Sequence, residues 1–165
     1  MILQQQILTG GASAAAAFRF WQLFVVDCIS GSNLTIDEWE IMVGATAHPT
    51  QNMTGASAPS PLVASASSVL GSNAPWKAFN GAVGSGNSWV AASATNISLK
   101  IDLGAGNEIA ATSTKIAPRE ASSGACKTFR IEASNVGDFT GEETVVGSFV
   151  AASGWSAQTL REFTF

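Results

Sequence analysis

Lys127-Thr128-Phe129-Arg130-Ile131-Glu132-Ala133-Ser134 (KTFRIEAS) is the stretch that decides the fold. Phe129, Ile131 and Ala133 fall on one face of an extended chain, the period-two pattern of a half-buried strand. Working outward, strands are predicted over 18–27 (FRFWQLFVVD), 34–43, 63–69, 97–103 (ISLKIDL), 109–117, 127–134, 143–150 and 159–165. The 18–27 run is rich in aromatic and β-branched residues, which marks a buried strand. Within 34–43, Ile36, Glu38, Glu40 and Met42 alternate with Asp37, Trp39, Ile41 and Val43, a half-buried strand or one with a kinked entry. Turn residues separate the runs at 30–33, 104–107, 122–124, 137–141 and 153–154. No long stretch keeps a helical period, and only 74–79 (APWKAF) suggests a short helix. Many short strands with regular turn punctuation predict an all-β sandwich.

The bulk numbers fit one domain. The chain has 165 residues, enough for a hydrophobic core. It is 46% hydrophobic, too apolar for a disordered tail. Only 12% of residues are charged, about half the usual share, and small neutral residues replace them. The formal net charge is −4 and no Lys/Arg stripe appears, which argues against a nucleic-acid partner. No apolar run approaches the roughly 20 residues of a membrane helix. Met1–Ala17 lacks the positive start of a secretory signal, so none is expected.

Residues 1–17 read as an N-terminal arm, with Ile2, Leu3, Ile7 and Leu8 as an apolar stripe suited to gripping a neighbour in an assembly. Gly10 and Gly11 then interrupt it. Residues 18–165 form the single sandwich, in which 44–61, rich in Gly, Ala, Thr, Pro and Asn, reads as a linker. Cys28 and Cys126 match no metal-ligand spacing. Either both are small buried hydrophobes or they form one bridge between strands. His48, the one histidine, sits in a loop-like stretch and reads as solvated.

Several segments resemble the discoidin, or coagulation-factor C-type, family of galactose-binding-like sandwiches, in the style found in bacteriophage tail, fibre and head-decoration proteins. Pro61–Ser68 resembles the family's opening strand, and Trp76-Lys77-Ala78-Phe79-Asn80-Gly81 its "WKAFDG" turn. Ser88-Trp89-Val90, Ile101-Asp102-Leu103-Gly104, Lys127–Asn135 and Arg161–Phe165 resemble later family segments in the family's order. Phe18–Leu23 and Ile36–Ile41 resemble segments that end the family domain, yet here they come first. The resemblance therefore implies a circularly permuted jelly-roll: 18–43 supplies the family's C-terminal strands, 44–61 joins the old ends, and 62–165 supplies the rest. Strands 18–43 close the sandwich of their own chain or of a neighbour; the linker permits either.

The resemblance also implies candidate sites. Sugar-binding relatives use loops at one end of the sandwich, which singles out Trp76, Arg119 and Trp155 here; for each Trp, packing is the alternative. A structural calcium ion near the "AFDG" turn is the one cofactor implied, with Glu38, Asn80 and Ser88 as ligands. Asn80 replaces the family's Asp, removing a charged oxygen from a site that wants several. No catalytic constellation is expected. A Ser-His-Asp triad would have to use His48, and Asp37-Glu38 and Glu142-Glu143 read as solvated surface acids rather than a pair facing across a cleft. The expected function is a bacteriophage virion structural protein, a capsid decoration or tail-fibre component made in the host cytoplasm, with a carbohydrate-binding adhesin as the alternative. Expected partners are other virion proteins, further copies of the chain and a host surface glycan.

Overall fold

The computed structural model describes residues 16–84 and 86–165. The arm residues Ile2, Leu3, Ile7 and Leu8 lie outside them. The chain is an all-β sandwich of two antiparallel sheets. Strand β1 (Phe20–Ile29) is the middle of the first sheet. It pairs on one side with β6 (Thr95–Asp102), which carries β4 (Val63–Ala66) at its outer edge. On the other side it pairs with β8 (Ala125–Ser134), followed by β9 (Thr144–Val150). The second sheet runs β10 (Arg161–Thr164), β7 (Ser113–Pro118), β2 (Thr35–Val43) and β3 (Thr46–His48), with β5 (Trp89–Val90) also on β2. A 3-10 helix spans Pro75–Phe79, where the sequence suggested a short helix.

Alternation builds the core. Trp21, Leu23 and Val25 of β1 and Phe129, Ile131 and Ala133 of β8 turn inward and are fully buried. They meet Ile36, Trp39 and Ile41 of β2 and Ile116 of β7. Each such large side chain stabilises the fold by roughly 1.5–3 kcal/mol through burial. The indole N–H of Trp39 donates to the Thr114 hydroxyl at 2.7 Å, which donates in turn to the Glu40 carbonyl at 2.8 Å. This core ring therefore locks the β2–β7 register as well as filling space.

Three features depart from the simple strand pattern. First, β2 slips register between Ile36 and Glu38. Strict alternation separates Ile36 from Trp39; the bulge puts both in the core and turns Asp37 inward as well. Second, β3 and β5 have no counterpart among the predicted strands, because three and two residues are too few for a period. Third, the linker 44–61 is packed. It holds β3, it buries Met53 in the core, and the Ala56 carbonyl accepts the Ala64 N–H at 2.9 Å. Strands β1 and β2, from the segment that comes first, pair with β6, β8 and β7 of the same chain. No helix among the described residues is long and apolar enough to cross a membrane.

Candidate functional site

At one end of the sandwich the β1–β2 and β7–β8 loops are tied together. The Gly124 N–H donates to the carbonyls of Ile29 and Ser30 at 3.0 and 3.2 Å, and the Ser30 hydroxyl donates to the Ser122 carbonyl at 2.6 Å. Gly31 makes the approach possible. Its φ of 84° suits glycine, and a Cβ there would stand 2.7 Å from the Ser123 hydroxyl. Beside this junction lies an open depression of about 300 Å³, walled by Ser32, Asn33, Thr35, Leu70, Arg119 and Ser123 among others.

The polar groups of this depression differ in whether they already have partners. Asn33 is committed: its amide donates to the Ala91 carbonyl at 2.8 Å and accepts from the Ser32 hydroxyl at 3.1 Å. The Thr35 hydroxyl is shut off from solvent and has no hydrogen-bond partner among the described residues. Arg119 makes no ion pair among the described residues. The Arg119 guanidinium, with five donors, is the group this depression offers to a planar or hydroxyl-rich polar partner, while the Thr35 hydroxyl lies behind the wall, out of a ligand's reach.

The two candidate tryptophans do not join it. Trp155 is buried, and its indole N–H donates to the carbonyls of Cys126 and Ala151 at 2.9 and 3.0 Å. Its ring lies against Phe163, with Arg161 stacked 5.2 Å from its centroid. It has no face left to offer a sugar, so packing replaces the stacking role expected for it. Trp76, at the start of the 3-10 helix, is half-buried against the core. Neither ring lines the Arg119 depression.

The structure brings Glu38, Asn80 and Ser88 to one region and adds Asp37, which the sequence reading left on the surface. Asp37 is fully buried and Glu38 nearly so, which corrects the expectation of solvated acids. Asp37 accepts from the Gly84 N–H at 2.6 Å and from the Ser88 hydroxyl at 2.5 Å. Glu38 accepts from the Gly81 N–H at 3.0 Å, and the Asn80 side-chain oxygen accepts the Ala82 N–H at 2.9 Å. The two acids thus hold the loop after the 3-10 helix by its amides. Burial pushes the Glu38 carboxyl up to about 8, against the Gly81 N–H and with the repulsion of Glu40 and Asp37 behind it.

These residues do not match a calcium cage. Calcium takes six to eight oxygens, whereas here N–H and O–H groups point at the carboxylates. The Asn80 side-chain oxygen is used in its own turn, the Ser88 hydroxyl is turned to Asp37, and Glu38 faces the Gly81 N–H. Among the described residues no cluster of three or more His, Cys, Asp or Glu is placed to hold a metal ion.

A second depression, of about 210 Å³, lies between the chain after β3 and the β6–β7 loop, with Leu62, Leu103 and Ile109 as apolar wall and His48 and Glu108 at its edge. His48 is half-buried there rather than solvated, and burial lowers its pKa. A comparison with known proteins finds no matching family model, no similar curated protein and no similar solved structure.

Proposed function

We propose that the chain is a non-catalytic binding module of a bacteriophage virion, a capsid decoration or tail-fibre component that holds one polar loop end outward. The observation that carries the binding reading is Arg119, which makes no ion pair among the described residues, in the wall of an open depression. An arginine fork grips a carboxylate through two parallel hydrogen bonds, so a host-surface glycan with acidic groups is the ligand class that fits. The absence of a catalytic role is supported by the acids. Asp37 and Glu38 face the protein's own amides, and Glu142 accepts from Ser134 and from the Phe139 N–H.

The permuted discoidin-like jelly-roll order is part of the same proposal. Phe18 pairs with Ile109, and the Phe165 N–H donates to the Thr112 carbonyl at 3.2 Å. Both ends of the described chain thus lie along one short segment, as expected if a once continuous chain was cut between them while 44–61 joined the old ends. Virion placement rests on the phage-like style of the matched motifs. Assembly with further copies or other virion proteins is supported by β9. This edge strand (TVVGSFV) has seven residues, no charge and no proline, and it exposes Val145 and Val150. Edge strands are usually blunted by charge or shortness, and β10 shows both devices, with Arg161 and Glu162 in four residues.

The test is electron microscopy of the source particles with the protein labelled by antibody. Regular labelling of a capsid or tail is expected. Particles without label would remove the virion role and leave a free glycan-binding module.

A further inference from the structure

We infer that Cys28 and Cys126 form a native cross-strand disulfide when the chain meets a small-molecule disulfide, and that the bridge staples the base of the loop end. The two cysteines are direct partners in the β1–β8 ladder, so their side chains leave the same face. Antiparallel partners come in two kinds, and the backbone shows which kind this is. The Cys28 N–H turns away from β8 and donates to the Ala94 carbonyl at 3.1 Å. The Cys126 carbonyl turns away from β1 and accepts the Trp155 indole at 2.9 Å. A strand residue directs its N–H and C=O to the same side, so neither cysteine uses its backbone on the other. They are a non-hydrogen-bonded pair, the closer kind, which in a regular ladder brings Cα atoms to about 4.5 Å; this pair sits beside the register shift between Asp27 and Cys28. A disulfide needs roughly 4.4–6.8 Å.

Both thiols are free in this structure, and they differ in access. Cys28 is half-buried, with its thiol 3.4 Å from the Ser30 carbonyl, while Cys126 is enclosed in the core. The order of events follows. The Cys28 thiolate attacks one sulfur of the small disulfide, forming a mixed disulfide and expelling one thiolate. The Cys126 thiolate then attacks the Cys28 sulfur, closing the bridge and expelling the second. The two cysteines are oxidised, the small disulfide is reduced to two thiols, and the two cysteine protons end on those thiols. Burial raises both cysteine thiols above their usual range, so the reaction is slow at neutral pH and faster in mild alkali.

The bridge would lie where β1 ends and β8 begins. From those ends spring the loops that carry Ser32, Asn33, Arg119 and Ser123. Stapling there fixes the spacing of the two loops and closes a long segment of chain, whether or not the depression binds a glycan.

The test uses the full reduced chain incubated with oxidised glutathione at mildly alkaline pH. Intact mass, a non-reducing peptide map and thermal melting are then read. The expected result is a monomer lighter by two hydrogens, a Cys28–Cys126 cross-linked peptide, and a melting temperature higher by about 5–10 °C that reductant reverses. Cys28→Ser should show neither change, and Cys126→Ala serves as the second control. A glutathione adduct that stays on Cys28, no reaction of the folded chain, a bridge formed only in denaturant, or a bridge that lowers the melting temperature would each overturn the inference.

Discussion

The two polar regions beside β2 have opposite character. Around Asp37 and Glu38, the carboxyl groups accept from the amides of the following loop, and the side chains are buried. Around Thr35 and Arg119, a few residues earlier on the same strand and across from it, a hydroxyl and a guanidinium have no partner among the described residues. The first pattern is what a fold needs, since a buried polar group without a partner costs about 1–3 kcal/mol. The second costs stability and is retained where something else benefits. The difference teaches where to look for a ligand: at the groups the fold leaves unused.

That contrast can be broken by substitution. The largest effect is expected at Asp37. Asp37→Ala strips the acceptor from the Gly84 N–H and from the buried Ser88 hydroxyl. It should cost about 2–4 kcal/mol and lower the melting temperature by roughly 5–12 °C, as read by urea and thermal unfolding.

Glu38 sharpens the contrast through pH. Its folded value of about 8 stands above the ordinary 4.5. Between those values the native chain holds more protons than the unfolded one, so stability is greatest at the acidic side and falls as pH rises through the window. Glu38→Gln should flatten that slope and be more stable than wild type at pH 9 by at least about 1–2 kcal/mol, measured as urea midpoints across pH. Added calcium should leave wild-type melting unchanged. A rise that Glu38→Gln abolishes would mean that the loop amides yield to a cation cage.

The smaller effects belong to the other region. Thr35→Val keeps the shape and removes the unpartnered buried hydroxyl, so it should stabilise the chain by about 1 kcal/mol and leave glycan binding unchanged. Arg119→Ala should change stability by less than about 0.5 kcal/mol. A large loss on Arg119→Ala would mean that the guanidinium serves the fold, and the contrast would collapse.

Much of the sandwich is legible in the sequence because burial writes a period of two. The run at 127–134 lies within β8 (Ala125–Ser134), and 18–27 overlaps β1 (Phe20–Ile29). The rest depends on neighbours far along the chain. Asp37 looks solvated until a bulge turns it inward, and no local pattern marks a bulge. Met53 sits in a stretch whose composition reads as linker, yet it fills the core. Trp155 follows a turn glycine like a loop aromatic, and only the Cys126 and Ala151 carbonyls reveal where its N–H goes. Of the candidate site, Arg119 was legible only through the family resemblance, as the residue after Pro118 where the family strand opens into a loop. Thr35 was not, because a missing partner is a fact of tertiary structure.

The most direct measurement is calorimetric titration of the full chain with an oligosaccharide bearing uronic acids, beside its neutral counterpart, for wild type and Arg119→Ala. The expected result is saturable binding of the acidic sugar by wild type, at least about tenfold weaker for Arg119→Ala, equivalent to 1.4 kcal/mol, with the fold intact in both. Equal affinity in the two proteins, or no binding of either sugar by wild type, would contradict a ligand site built from the groups the fold leaves unpaired.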